Sequence, residues 1–216
     1  MGRFGAALCI AVATLGCDEK PSPAASTTSS SASAAVSSVR SAPPASAVAE
    51  GGRSARQRYI EQLASDTWKD DTELGADSPE LAELARKWDG LMWAFLRSER
   101  TTARELHHFA SKYDWDKGVP AMQQLVRHPH CDAGTALMVY WRARPEYYRA
   151  YAAVDDVPER EREQDALIRD IEARFAAGSF ETREMPYDPR AAGQLGLYDE
   201  RPVKRKLPDV MYRAIE

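Results

Sequence analysis

Residues His107–Tyr148 read HHFASKYDWDKGVPAMQQLVRHPHCDAGTALMVYWRARPEYY. Turn signals divide this stretch into short helices. Asp114, Asp116 and Gly118 mark a first turn, in which an Asp side chain accepts backbone N–H bonds while Trp115 packs inward. Pro120 sits where a first helical turn tolerates it, and Met122, Leu125 and Val126 give the next helix its apolar face. His128-Pro129-His130 ends that helix, because the residue before a proline disfavours α geometry. Asp132 then caps a helix from Ala133 to Arg144 whose residues Ala136 to Trp141 are apolar nearly all round, which predicts a buried helix. Pro145 ends or kinks it.

Upstream, Thr102-Ala-Arg-Glu105 is a capping box that opens a helix through Leu106 and Phe109 to Lys112. Ser78-Pro79-Glu80 is a further start signal. Leu81, Leu84, Trp88, Leu91 and Phe95 follow at spacings of 3, 4, 3 and 4, which predicts an amphipathic helix to Arg97 with these residues inward. Tyr59, Ile60, Leu63 and Trp68 mark a helix over 55–68. Downstream, Asp156 to Glu159 starts a helix that carries Leu167, Ile168, Ile171 and Phe175 inward and stops at Gly178. Residues 180–185 suit a short extended piece, and Pro208 to Tyr212 a short last helix. No strand series is present, so residues 55–216 read as an all-α domain of antiparallel helical hairpins.

The first 54 residues are of another kind. Met1-Gly2-Arg3 and the uncharged run Phe4–Leu15 have the layout of a secretory signal peptide, too short to span a bilayer. The run ends in Thr14-Leu15-Gly16-Cys17, which resembles a bacterial lipobox. That resemblance implies a signal peptide over 1–16, diacylglycerol on the Cys17 sulfur and anchorage to a lipid bilayer in the bacterial cell envelope, inner or outer membrane left open. Residues 17–54 form a tether. Between Pro21 and Glu50, 23 of 30 residues are Ala, Ser or Pro, a composition that cannot bury enough apolar surface to offset ordering.

Residues 58–216 hold 24 Lys/Arg against 30 Asp/Glu, a net charge of −6. That balance argues against nucleic acid, which needs a basic footprint. Cys9 lies in the leader and Cys17 carries lipid, so Cys131 has no disulfide partner and the domain stands on its core.

The central stretch also resembles the bacterial family known as domain of unknown function 4274. The residues that carry the likeness are Leu106 to Ala110, Tyr113 to Asp116 with Gly118 and Pro120, then Pro129 to Asp132 with Gly134 to Met138, within a core of 102–148. Family members more often have Asn at the positions of Asp114 and His128. The resemblance implies a helical domain and no activity.

Several constellations carry chemistry. His107, His108, His128, His130 and Cys131 fall within 25 residues, and zinc takes His and Cys. The spacing matches no standard ligand pair, and adjacent helical histidines diverge by about 100°, so a metal or other cofactor is not expected. Cys131 precedes a helix N-terminus, which favours a thiolate, but free Cys is among the most buried residue types. Asp114 and Asp116 are paired carboxylates, better read as turn formers. Arg142, Arg144, Tyr147, Tyr148 and Tyr151 offer residue types enriched in binding hot spots and are the expected binding face. The composite expectation is a membrane-anchored lipoprotein, not an enzyme, carrying a protein-interaction module, of which an immunity-type role is one form. The competing expectation is an envelope hydrolase or metal-binding protein that uses the cluster at 107–132. It requires His107 or His108 to approach Cys131 or Asp116 in an open cleft.

Overall fold

Ser54, Ser78, Thr102 and Asp132 each cap the start of a helix in this domain. The computed structural model describes residues 53–216. The leader, Cys17 and all of the tether before Arg53 lie outside the described residues. Among the described residues there are seven α-helices: α1 Ala55–Ser65, α2 Pro79–Arg97, α3 Ala103–Lys112, α4 Pro120–Val126, α5 Ala133–Arg142, α6 Pro145–Tyr148 and α7 Arg162–Ala176. Among the described residues the one piece of β pairing is an isolated antiparallel bridge between Tyr187 and Ile215. The all-α class is the observed one.

Ser54 and Thr102 close reciprocal capping boxes on α1 and α3. Ser78 caps α2 through the Leu81 amide. Such a cap is worth about 1 kcal/mol. Asp114 accepts from the Asp116 amide at 3.0 Å and shapes a 3₁₀ turn over Trp115–Lys117. Gly118 leaves that turn at φ +84°, a region that favours glycine.

Sequential helices touch, but the packing also runs between alternate ones: α1 lies on α3, α3 on α5 and α5 on α7, while α2 contacts α1 and α4. The centre of this row is α5. Every residue from Ala133 to Trp141 is buried, as its all-round apolar sequence requires. α3, α4 and α7 cover it with Leu106, Phe109, Met122, Leu125, Leu167, Ile168 and Ile171.

Two boundaries and one face differ from the sequence reading. The helix at 55–68 stops at Ser65 because Asp66 turns left-handed at φ 56°. Trp68 is carried on a separate 3₁₀ turn, still buried. α5 ends at Arg142, and Arg144 takes φ +59° before Pro145 opens α6. On α2 the expected stripe is only partly inward. Phe95 is buried together with Met92 and Leu96, whereas Leu81, Leu84 and Trp88 are half-buried and Leu91 is exposed. The helix packs through its C-terminal half. Its N-terminal half meets the rest through Trp88, which stacks on Trp68 at 5.7 Å between ring centres.

Residues 179–215 run over the helices as an arm of little regular structure. Its first part crosses the start of α5, where the Ala133 amide donates to the Thr182 carbonyl at 3.0 Å. Its last part covers the far end of α5. The Trp141 indole donates to the Met211 carbonyl at 2.8 Å, and Met211 is fully buried. Arg205 and Tyr140 both donate to the Glu172 carboxylate, which ties the arm to α5 and α7.

Gly134 lies under the arm at such close range that a Cβ there would collide with the Met185 carbonyl group. Helix propensity favours alanine over glycine by up to about 1 kcal/mol, while forced overpacking costs about 1–3 kcal/mol. Gly134→Ala is therefore expected to lower the unfolding midpoint in denaturant and to speed proteolysis within 179–190. A stabilised protein with unchanged cleavage would show that the arm does not hold this position in solution.

Candidate functional site

The functional side chains foreseen in the central stretch are each placed by a different fold contact. Asp132 is wholly buried at the start of α5. Its Oδ1 accepts from the Gly134 amide at 2.8 Å and from the Met185 amide at 3.3 Å, and its Oδ2 from the Glu184 amide at 2.7 Å. One carboxylate thus caps a helix and fastens the arm. Thr135, one turn further on and also buried, lies 3.0 Å from His107 Nδ1.

The four histidines do not converge. His107 binds Thr135 on α5. His108 Nε2 lies 3.2 Å from Glu61 Oε1 on α1, in ion-pair range. His128 Nε2 lies 3.1 Å from the Ser98 carbonyl, while its Nδ1 accepts from the His130 amide at 3.0 Å. His130 Nδ1 lies 2.9 Å from the Thr101 carbonyl. His128 and His130 are neighbours, with ring centres 5.3 Å apart. Together they pin the loop between α2 and α3. Among the described residues no group of three His, Cys, Asp or Glu is placed to hold a metal ion.

Cys131 is buried, and burial pushes its thiol up to about 12, against the lowering influence of Arg174. At that value fewer than about one thiol in 10⁴ is ionised at pH 7, and the thiolate is the nucleophilic form. Asp114 is spent on its turn, and Asp116 is exposed in the same turn. His107 and His108 do line a cleft of about 540 Å³ between α1 and α3. Its hydroxyls, on Ser54 and Thr102, serve as caps, and Arg56 and Glu105 pair at 2.6 Å, while Arg104 also lines it.

The expected binding face at 142–151 is divided between core and surface. Tyr148 is buried, and Arg142 is half-buried with Nη1 donating to the carbonyls of Ala110 and Ser111, both at 2.8 Å, at the end of α3. Tyr147 and Tyr151 are half-buried, and Arg144 is exposed. Tyr147 is covered by the arm: the Arg201 guanidinium sits 3.6 Å over its ring and Tyr198 meets it edge-on. The face is therefore not a flat exposed patch.

It is instead a groove. One half, of about 520 Å³, is lined by Trp115, Arg142, Arg144, Gln164, Gln194 and Leu197. The other, of about 300 Å³, is lined by Arg144, Tyr147, Tyr148, Glu161, Gln164 and Tyr198. Arg144 and Gln164 belong to both halves, so the two are continuous. Sequence reasoning found the arginines and tyrosines of α5 and α6. It missed Gln164, a polar residue of α7 that nothing marks by type, and Gln194, Leu197 and Tyr198, because residues 186–207 show no periodicity to place them.

Comparison with known proteins adds one finding. Residues 101–176 match the family model described as Domain of unknown function (DUF4274). The match opens just before the α3 capping box and closes at the end of α7. No curated protein and no solved structure matches the chain.

The histidine contacts set a pH dependence. Burial holds His128 below the usual imidazole value, with the Ser98 carbonyl opposing and His130 assisting. Burial does the same to His107, with Asp132 opposing. The unfolded chain, with histidine near pKa 6.5, takes its protons first as the pH falls. Stability is therefore lost from about pH 6.5 downward, and this loss levels off below the depressed folded values. Asp66 and Glu105 give up stability only at lower pH. Burial opposes their charged forms, but Lys117 with Lys69, and Arg56 with Thr102, outweigh it and hold both carboxyls below their ordinary values. Denaturant midpoints between pH 7.5 and 5.5 are expected to fall for the natural sequence and to flatten in a His128→Asn, His107→Gln double variant. An unchanged slope in that variant would assign the effect to other groups.

Asp132→Ala removes the cap and leaves the Glu184 and Met185 amides without their acceptor. The expected loss is about 2–4 kcal/mol, from a cap of about 1 and unmet buried donors of about 1–3. Equilibrium unfolding measures it. A loss below about 0.5 kcal/mol, the ordinary surface value, would mean that this carboxylate does not organise the domain.

Proposed function

We propose that this chain is a lipid-anchored protein of the bacterial envelope whose helical domain serves as a non-enzymatic, protein-docking module. Cys17, acylated at the end of a lipobox-like run, is the anchor. Residues 17–54 are the tether, and forty such residues have an r.m.s. span of about 35 Å, enough to hold the domain just off a bilayer. The observation that carries the reading is the division of labour within the domain. The histidines and Cys131 are engaged in separate internal contacts, while the concave surface rich in Tyr, Arg and Trp lies apart from them over α5 and α6. Tyr, Trp and Arg in partly enclosed positions are the anchors protein interfaces use. An immunity-type role, neutralising a protein, is one form this docking takes.

Two measurements test the proposal. Cys17→Ser is expected to move the protein from the membrane fraction to the soluble fraction and to abolish labelling by radioactive palmitate. Retention in the membrane would remove the anchor from the reading. A photo-crosslinking residue at Gln194 is expected to give one adduct of defined size in cells, and the same residue at Arg86 on α2 none. Equal yields from both positions, or none from either, would count against docking at the groove.

A further inference from the structure

The groove over α5 and α6 concentrates positive charge in an acidic domain. Residues 58–216 carry a net charge of −6, yet the larger half of the groove is lined by two arginines and no carboxylate. Some arginines of the domain are paired, Arg56, Arg127, Arg149, Arg169 and Arg205 each meeting an Asp or Glu, and others among the described residues, such as Arg58 and Arg104, are not. Among the described residues neither Arg142 nor Arg144 forms an ion pair with a carboxylate. Arg142 is half-buried, and a charge withdrawn from water without a partner is costly. The carbonyls of Ala110 and Ser111 fix its guanidinium and supply a partial negative charge at the end of α3, about half an elementary charge at most. The Trp115 indole N–H, on the same wall, has no acceptor in the fold. The larger half thus holds two cations and no carboxylate, while the Glu161 carboxylate lines the adjoining half. The complement of the larger half is an anion with several acceptor oxygens, and guanidinium groups match a carboxylate in shape.

The walls narrow the choice. Trp115 and Leu197 are apolar, and Leu197 is 56% exposed. The adjoining half continues with Tyr147, Tyr148 and Tyr198. A bare inorganic anion would leave these surfaces unused, whereas an extended chain with acidic and apolar side chains would cover them. We propose that the groove binds an acidic peptide segment, with a carboxylate held by Arg142 and Arg144 and an apolar side chain against Trp115 and Leu197. This rests on the reading of the domain as a docking module and names the chemistry of its partner.

The test is calorimetric titration of the full chain in detergent with an N-acetylated, C-amidated hexapeptide alternating Leu and Glu. The same peptide with Gln for Glu and inorganic phosphate serve as comparisons. The Glu peptide is expected to bind about tenfold more tightly than the Gln peptide, the difference shrinking with added salt. Arg144→Asn is the informative variant, because Asn tolerates the positive φ of that position. An unchanged melting temperature reports its fold. It is expected to weaken the Glu peptide about tenfold. Equal binding of the two peptides, or no effect of Arg144→Asn, overturns the proposal. Phosphate binding as tight as the Glu peptide overturns it as well, in favour of a bare-anion site. A Gln194 adduct that persists in Arg144→Asn, with no Glu-peptide binding, would leave docking standing and remove its acidic chemistry. Loss of the adduct in the natural sequence would remove docking itself.

Discussion

A buried carboxylate must be satisfied on every side, and in this domain the requirement fixes how the pieces meet. Asp132 has no exposure and takes three backbone N–H donors, one from its own helix and two from a segment more than fifty residues away. Those donors reach it only if the arm lies flat on the first turn of α5. The arm can lie flat only if the next helical residue but one has no side chain, which is the place of Gly134. Thr135 follows, its hydroxyl beside His107, which brings α3 against the same turn. Asp132, Gly134 and Thr135 are thus one joint made of three residue types, each with a separate physical reason.

The remaining charged groups follow a common habit of tying irregular segments to helices. Lys117 reaches the Leu63 carbonyl and Asp66, which fixes the turn after α3 to the end of α1. Arg142 closes the end of α3 from within α5. Arg205 and Tyr140 share Glu172. His128 and His130 hold the α2–α3 loop by its carbonyls. These contacts fix where the loops lie on the helices.

Much of this was legible in the sequence. Apolar spacing announced α1, capping residues announced α2 and α3, Asp132 announced α5, and the all-round apolar composition of α5 announced its burial. What periodicity could not supply was the side from which cover comes. On α2 the spacing chose Leu81, Leu84, Trp88, Leu91 and Phe95, but burial fell on Met92, Phe95 and Leu96. The C-terminal half of that helix is the more closely covered, and spacing carries no information about neighbours. The groove was half legible for a related reason. Its arginines and tyrosines stood out by type on α5 and α6, whereas Gln194, Leu197 and Tyr198 come from a segment that follows no period and is placed only by what it covers. The histidines stood out by type as well, but each was drawn to a different carbonyl, hydroxyl or carboxylate, a matter of tertiary distances.

The bond from Trp141 to the Met211 carbonyl has a consequence for the order of events in folding. The two residues stand 70 positions apart, and the Asp132 clamp spans 52 and 53 positions. Contacts of such separation form late, since the chain between them loses its freedom before the contact returns anything. Helices α3 to α7, the stretch the family model covers, can therefore assemble while both ends of α5 are still wet. The homologous unit and the cooperative unit are then not the same length of chain. A nascent chain released as far as residue 176 holds the whole matched stretch, with its most apolar helix unroofed until residues 179–215 arrive.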